Sequence, residues 1–234
     1  DIGVTGVQTC ALPICNFSHP RAGQDHPQFL RNLITEGEIK FEDRSEGSGL
    51  EWQESFASAA LGDYDNDGDL DLYFTTVYAV GSGSIKNFPV LYSNQGSWKF
   101  KNITKDESLP DLPPTYQSAW ADIDNDGDLD LCTAGKLFRN DAQRGHWIQL
   151  QLVGNGTEVS RSAYGAVARV RLGNQVLTRF VEPGTGEGNQ SDARLHFGLG
   201  DQEEPVLVEI TWPGGKKQSV GPLDVDQQHR VVME

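Results

Sequence analysis

Two acidic stretches decide the fold of this chain. "LGDYDNDGDLDLYF" occupies residues 61–74, and "WADIDNDGDLDLCT" occupies residues 120–133. In both, the spacing D-x-D-x-D-G-x-x-D places five aspartates around one glycine, and an apolar run follows at once. The aspartates are Asp63, Asp65, Asp67, Asp69 and Asp71 in the first stretch and Asp122, Asp124, Asp126, Asp128 and Asp130 in the second. They are ten of the 34 acidic residues of a 234-residue chain with a net charge of −15.

The two stretches belong to an internal repeat, because they lie 59 positions apart along the chain. The same offset relates Phe41 to Phe100, Leu50 to Leu109 and Ala60 to Ala119. After the acidic loops the spacing changes, since "LYSN" (91–94) follows its loop at a greater distance than "LFRN" (137–140) follows the second. A repeat of this size is typical of one supersecondary unit such as a propeller blade.

The segment after each acidic loop has the pattern of a β-strand. Leu70, Leu72 and Phe74 alternate with Asp71 and Tyr73, which is a period of two. The β-branched and aromatic residues that follow disfavour a helix. With 26 glycines and one methionine, the composition also predicts an all-β protein with many turns.

The loop spacing predicts a calcium site. Calcium takes six to eight oxygen ligands in a flexible cage, and alternate aspartates in a tight loop can direct their carboxylates at one ion. Gly68 and Gly127 permit the sharp turn at the sixth position. At the seventh position, Asp69 or Asp128 would offer its backbone carbonyl. Magnesium fits less well, because it keeps its waters and uses few carboxylates.

The loop has two other interpretations. An EF-hand needs a bidentate glutamate at position twelve followed by a helix, whereas Phe74 or Thr133 occupies that position here. An acidic turn that only caps a strand is the plain structural alternative. Two copies at a fixed offset favour the metal loop over this alternative.

"DYDNDGDLDL" and "DIDNDGDLDL", preceded by "ASAA" and "QSAWA", resemble FG-GAP/VCBS repeats, the calcium-loop blades of integrin-type β-propellers. The resemblance covers about residues 41–141. It implies that the aspartates at loop positions one, three, five and nine ligate calcium. These are Asp63, Asp65, Asp67 and Asp71 in the first loop and Asp122, Asp124, Asp126 and Asp130 in the second. Two blades cannot close a propeller, so we expect a partial β-propeller with two Ca²⁺ sites.

A second domain follows the repeats. "WIQLQLVG" (147–154) reads as a strand, and "GAVARVRL" (165–172) and "QVLTRFV" (175–181) read as a hairpin around a two-residue turn. "VLVEITWP" (206–213) opens another hairpin, so we expect a β-sandwich-like domain. The order of these segments resembles the ASPIC/UnbV domain, which follows FG-GAP/VCBS repeats in the cartilage acidic protein group. Where that resemblance leads us to expect an aromatic residue, near "GTGEG" (184–188), the chain has Glu187 and Gly188.

The predicted organisation has four parts. Residues 1–15 resemble a translated sequencing adapter, so we exclude them from reasoning about the fold. Residues 16–40 are expected to be a remnant of a preceding segment. Residues 41–144 hold the two calcium-loop repeats, and residues 145–234 form the ASPIC/UnbV-like domain.

Several function classes are disfavoured by the sequence. The acidic balance argues against nucleic-acid binding, and no apolar run reaches the length of a membrane span. No nucleophile-elbow or zinc-helix pattern is present, and clustered aspartates that ligate metal cannot act as general acids, so we expect no enzyme. His146 and His196 are expected to pack or hydrogen-bond rather than bind metal, and Cys132 is expected in the core.

The sequence therefore predicts a calcium-binding, extracellular or cell-surface, non-catalytic interaction module with a protein or glycan partner. Calcium would be structural, fixing each loop and the strand behind it. The alternative is that the chain is the accessory C-terminal part of a larger secreted enzyme or biosynthetic protein. The sequence of a catalytic domain upstream would distinguish the two.

Overall fold

The structure, a computed structural model, describes residues 4–5, 11–14, 28–33, 40–51, 53–81, 84, 86–184 and 188–234. Eighteen β-strands are assigned in these residues, so the predicted all-β class is confirmed. The strands of the first part are β1 (Val4–Thr5), β2 (Ala11–Ile14), β3 (Gln28–Asn32), β4 (Phe41–Asp43), β5 (Phe56–Gly62), β6 (Asp71–Thr76), β7 (Val90–Asn94), β8 (Phe100–Asn102), β9 (Ser118–Ala121), β10 (Asp130–Thr133) and β11 (Lys136–Phe138). Those that follow are β12 (His146–Val153), β13 (Val167–Leu172), β14 (Gln175–Phe180), β15 (Leu195–Gly200), β16 (Val206–Thr211), β17 (Lys217–Leu223) and β18 (Gln227–Val232).

Each repeat contributes one antiparallel sheet. The first sheet has the order β5-β6-β7-β8, and the second has the order β11-β10-β9. The phenylalanine-led strand of each repeat completes the sheet before it, because β8 pairs with β7 and β4 pairs with β3. The first sheet has the four strands of a propeller blade, the second has three, and the partial propeller stays a prediction.

The central strand β6 is buried on both faces. Leu72 and Phe74 lie in one apolar cluster, where the Phe74 ring stacks on that of Phe56 at 4.4 Å between centroids. Tyr73 points to the opposite face and meets Trp120 of the second sheet edge to face at 6.5 Å. The predicted alternation is therefore confirmed, and the cluster around Tyr73 packs the two repeat sheets against each other.

The C-terminal part consists of two sheets with a common core. Their orders are β1-β14-β13-β16-β17 and β15-β12-β18. Ile148, Leu150, Phe197, Ile210 and Trp212 are at most 1% exposed and lie in the cluster between the sheets. Burying such side chains is the main favourable term in forming the domain. This arrangement confirms the predicted sandwich-like packing.

Both predicted hairpins of this domain are confirmed. Leu172 pairs with Gln175, so Gly173-Asn174 forms a two-residue turn between β13 and β14. Thr211 pairs with Lys217 across β16 and β17. The loop of this second hairpin spans residues 212–216 and is closed by a hydrogen bond from Trp212 N to Lys216 O at 2.8 Å.

The expectation for Cys132 was wrong, because this residue is exposed. In β10 the side chains of Leu131 and Thr133 are buried, and Cys132 lies on the other face beside its strand partner Leu137, which is 52% exposed. Period-two alternation cannot tell whether one or both faces of a strand are covered. The first repeat sheet is covered on both faces, whereas this face of the second sheet is open.

Two short strands lie in residues 1–15. β1 pairs in parallel with β14, and β2 pairs with β3. The adapter origin of this segment stays a prediction, as do the bounds of the four predicted parts of the chain. Residues 185–187, which include the departure noted at Glu187, lie outside the described residues. Across the described ranges, the structure has no helix with the length and hydropathy needed to cross a membrane.

Candidate metal sites

Both acidic loops make the sharp turn that their glycines predict. Gly68 and Gly127 share a φ of 95°, a conformation that favours glycine. Asn66 and Asn125 have φ values of 58° and 61°, in the left-handed region that asparagine tolerates. The two loops therefore have the same backbone conformation at equivalent positions of the repeat.

Each loop brings together the carboxylates of positions one, three and nine. Asp63, Asp65 and Asp71 each place one oxygen within 4.8 Å of the others. The equivalent cluster of the second loop meets the same distance limit and consists of Asp122, Asp124 and Asp130. In both loops positions one and nine are buried, so the clusters lie at the base of the loop rather than at its tip.

Position five tightens the turn in both copies. Asp67 Oδ1 accepts a hydrogen bond from Asp69 N at 2.8 Å, and Asp126 Oδ1 accepts one from Asp128 N at 3.0 Å. Asp126 also belongs to a second group of close carboxylates with Asp124 and Asp141. Asp67 and Asp126, the predicted calcium ligands at position five, therefore lie beside the clusters. One carboxylate oxygen of each already accepts a hydrogen bond from the backbone.

The side chain of Asp128 at position seven binds protein groups. Its Oδ1 accepts a hydrogen bond from Asn66 Nδ2 at 3.0 Å, and its Oδ2 accepts one from Gln143 N at 2.7 Å. This agrees with a role for its backbone carbonyl, and not its carboxylate, as the ligand. That role, like the one predicted for Asp69, stays a prediction.

The position-nine carboxylates are held by two backbone amides each. The donors are Tyr64 N (3.2 Å) and Asn94 N (2.8 Å) for Asp71, and Ile123 N (2.9 Å) and Asn140 N (2.8 Å) for Asp130. These bonds close each loop onto the strand that returns from it. The aspartates at position nine therefore also cap the strand, as expected for an acidic turn that binds no metal.

Sequence reasoning missed Asn94 and Asn140 as supports of the loops. Asn94 Nδ2 donates to Leu70 O at 3.1 Å, and Asn140 Nδ2 donates to Leu129 O at 3.4 Å, the residue before position nine in each loop. A signal for them was present, because "LYSN" and "LFRN" end in the same residue. Because the two segments follow their acidic loops at different distances along the chain, the sequence did not reveal that Asn94 and Asn140 are equivalent.

Two buried carboxylate oxygens have no hydrogen-bond partner among the described residues. They are Asp65 Oδ1 in the first loop and Asp122 Oδ1 in the second. A buried polar atom without a partner costs free energy, and a bound cation would satisfy it. Clustered carboxylate oxygens are the donors that calcium prefers, so the residues present fit a calcium ion in both loops.

The electrostatics of the first loop are unfavourable without a cation. Burial raises the pKa of Asp63 to about 7, with Asp67 and Asp65 adding to the shift while Arg179 opposes it. Burial, together with Asp67, raises the pKa of Asp65 to about 6. Burial raises the pKa of Asp71 well above its ordinary value, and neighbouring aspartates add to the shift. A divalent cation reverses this effect by favouring the charged forms.

The C-terminal domain packs directly onto the first loop. Asp63 Oδ2 accepts hydrogen bonds from Arg179 Nη2 at 3.1 Å and from Gly198 N at 2.9 Å. Arg179 Nη2 also donates to Gly68 O at 3.3 Å. Gly198 is needed for this approach, because a Cβ there would lie 2.4 Å from the Cα of Asn66.

The second loop is contacted by the sheet that contains β12 and β15, which also supplies Gly198 to the first loop. Gln149 Nε2 donates to Asp122 Oδ2 at 2.6 Å, and Arg194 Nη2 donates to Asp122 O at 2.6 Å. The ring of Trp147 covers the turn, since a Cβ on Gly127 would lie 1.9 Å from its Nε1. Gln149 is buried, unlike Gln151 on the same face of the strand, because its amide reaches a loop 27 positions away.

The histidines have the hydrogen-bonding roles that the sequence predicts. His196 Nε2 and Asn66 Oδ1 lie 2.6 Å apart, and His146 Nδ1 lies 2.8 Å from Asp226 Oδ2. Burial lowers the pKa of His196 to about 3, with Arg179 and Arg194 adding to the shift, so the ring is neutral. Its Nδ1 then accepts from Gln149 Nε2 at 3.4 Å while its Nε2–H donates to Asn66.

A cleft of about 380 Å³ lies between the two repeats and the C-terminal domain. Leu61 and Phe180 supply apolar surface, and Glu182 and Arg194 supply charge. Burial raises the pKa of the Glu182 carboxyl. The cleft is large enough for a side chain or sugar ring of a partner.

Fold and site together define an all-β protein in which two acidic loops of repeat sheets are packed against a sandwich-like domain. Residues 156–234 match the family model described as ASPIC and UnbV, which supports the resemblance noted for the C-terminal domain.

Three similar proteins carry the name cartilage acidic protein 1. The human protein is 25% identical over 212 residues, which cover 83% of this chain and 30% of that protein. The Mus musculus protein is 27% identical over 175 residues, covering 67% of this chain and 25% of its own length. The Xenopus tropicalis protein is 26% identical over 210 residues, covering 82% and 30%. This chain therefore spans at most 30% of the length of the relatives it matches.

Proposed function

We propose that this chain is a calcium-binding, non-catalytic interaction module in which one Ca²⁺ stabilises each acidic loop. The observation that carries the proposal is the pair of carboxylate clusters at equivalent positions of a repeat, each with one buried oxygen that lacks a hydrogen-bond partner. Calcium would neutralise the clustered charge and hold the loop on the strand that follows it. Its role is structural, because the ligands lie at the base of the loops.

An extracellular location is part of the same proposal. The similar proteins are named for cartilage, and calcium sites of extracellular modules bind at about 10⁻⁴ to 10⁻³ M. A partner, which we expect to be a protein or a glycan, would contact the exposed loops and the cleft beside Leu61 and Phe180. FG-GAP/VCBS repeats remain the interpretation that best accounts for the loop sequence.

Equilibrium dialysis with Ca²⁺ tests the proposal directly. We expect two calcium ions per chain in the wild type, one in Asp65→Asn, one in Asp124→Asn, and none in the double variant. Asp111→Asn is a matched control, because Asp111 is exposed and lies outside both loops. A wild-type chain that retains no calcium at millimolar concentration would contradict the proposal.

A further inference from the structure

The first aspartate of each acidic loop is held from outside its loop. Asp63 Oδ2 accepts hydrogen bonds from Arg179 and Gly198 of the C-terminal sheets, and Asp122 Oδ2 accepts one from Gln149. These aspartates are equivalent in the repeat, yet their donors come from different strands. The C-terminal domain is therefore bonded directly to a candidate ligand in both metal sites.

Further hydrogen bonds, made by Asn66, connect the two loops to each other. Asn66 Nδ2 in the first loop donates to Gly127 O at 3.1 Å and to Asp128 Oδ1 at 3.0 Å in the second. Asn66 Oδ1 accepts from His196, which in turn accepts from Gln149. One hydrogen-bonded network thus contains both loops and the strands β12 and β15.

Gln149 stands out in this network. It is 2% exposed, whereas Gln151 on the same strand is exposed. Its Nε2 bonds Asp122, and its Oε1 has no hydrogen-bond partner among the described residues. A buried amide with a free acceptor is costly in an apolar sandwich. Beside a metal cluster, the same group can orient one carboxylate and accept from a water on the ion.

We propose that Gln149 is a positioning residue for the second calcium site, and that calcium binding and docking of the C-terminal sheets stabilise each other. The inference rests on the proposed function. A group that hydrogen-bonds a ligating carboxylate fixes its orientation, and losing it typically weakens metal binding about 10- to 100-fold. Because Gln149 belongs to the C-terminal sheets, it is in place only when they are docked, and linkage makes the effect reciprocal.

Calorimetric calcium titration of the full chain tests the first part. The Asp65→Asn background leaves only the second site, and within it Gln149→Leu is expected to weaken binding about 10-fold or more. Gln151→Leu in the same background is the matched control and should bind as tightly as the background alone. Gln149→Asn keeps the amide but shortens its reach, so it should also weaken binding.

Hydrogen exchange followed by mass spectrometry tests the reciprocal part without any change in the C-terminal sheets. Calcium is expected to slow exchange in peptides containing Gly198, whose amide donates to Asp63. The Asp65→Asn/Asp124→Asn double variant should show no such slowing. Because this measurement uses intact C-terminal sheets, it decides the question even where Gln149→Leu does not fold.

The outcomes separate the two proposals. A wild-type chain that binds no calcium overturns both. A wild-type chain that binds two calcium ions, with equal affinity in the Gln149→Leu and Gln151→Leu variants and unchanged exchange at Gly198, overturns only this inference. Weaker binding in Gln149→Leu together with calcium-dependent protection of Gly198 supports it.

Discussion

Arg179 in β14 forms an ion pair with Asp63 at the start of the first acidic loop. Nη2 lies 3.1 Å from Oδ2, and the exposed fractions of the two side chains are 5% and 0%. Burial lowers the pKa of Arg179, although Asp63 and Asp69 oppose this shift. The guanidinium thus brings one fixed positive charge from the C-terminal domain to a loop that has five aspartates.

Replacing Arg179 by methionine should destabilise the calcium-free protein strongly. Removing one partner of a buried ion pair leaves the other charge uncompensated and costs about 3–5 kcal/mol. With calcium bound the loss should be smaller, because the ion supplies positive charge beside Asp63. Urea denaturation at pH 8, above the Asp63 pKa of about 7, measures both values with and without calcium.

Arg171→Met is the control for that experiment, since Arg171 is exposed on the neighbouring strand β13. It should change the free energy of unfolding by no more than about 0.5 kcal/mol. If Arg179→Met were equally harmless without calcium, the ion pair would contribute nothing to the docking of the C-terminal domain.

Gly127→Ala should be far more harmful than Gly135→Ala. Both glycines have a positive φ, which costs a non-glycine residue about 1–3 kcal/mol. A Cβ at Gly127 would also lie 1.9 Å from Trp147 Nε1, whereas nothing lies within 4 Å of one at Gly135. Thermal unfolding should therefore show a lower Tm for Gly127→Ala, and equal Tm values would mean that Trp147 does not cover the loop.

Without calcium, the protein should lose stability as the pH rises. The pKa values of Asp63 and Asp65, about 7 and about 6, lie above the ordinary value of 3.8. A carboxyl whose pKa is higher in the folded than in the unfolded protein stabilises the fold in full below about pH 3.8. That stabilisation is lost as the pH rises through 6 and 7. Calcium affinity should rise over the same range, because the ion competes with protons for these carboxylates.

Tm measured from pH 5 to 8 on protein freed of calcium by dialysis checks this prediction. We expect Tm to fall with pH in the wild type and to fall less in Asp65→Asn, which cannot ionise at that position. A wild-type Tm that rises across this interval would show that the clustered carboxylates are already ionised in the calcium-free fold.

Asn140→Ala should destabilise the second loop. Its Nδ2 donates to Tyr64 O at 2.7 Å and to Leu129 O at 3.4 Å, and its Oδ1 accepts from Ala142 N at 3.3 Å. At about 0.5–1.5 kcal/mol for each of the three hydrogen bonds, the expected loss is about 1.5–4.5 kcal/mol. Asn94→Ala removes two hydrogen bonds, from Nδ2 to Leu70 O and from Gly96 N to Oδ1, and should cost about two thirds as much in urea denaturation. The reverse order would show that the bond from Asn140 to the first loop is unimportant.

Much of the local structure followed from patterns in the chain. The period of two after Leu70 predicted strand β6, and Gly173-Asn174 predicted the turn between β13 and β14. Gly68 predicted a sharp turn in the first loop, where its φ is positive. Each of these depends on residues within a few positions of one another. The pattern failed for Cys132, because whether a strand face is covered depends on a different sheet.

The acidic loops, their repeat and the all-β class were determined by the sequence itself, since side-chain spacing and glycine conformation act over a single turn or strand. Only the tertiary structure decided that Arg179 neutralises Asp63 and that Gln149 is buried against Asp122. Those pairs are 116 and 27 positions apart. No periodicity encodes them, because they exist only once separate sheets have packed and a buried charge or amide must find a partner.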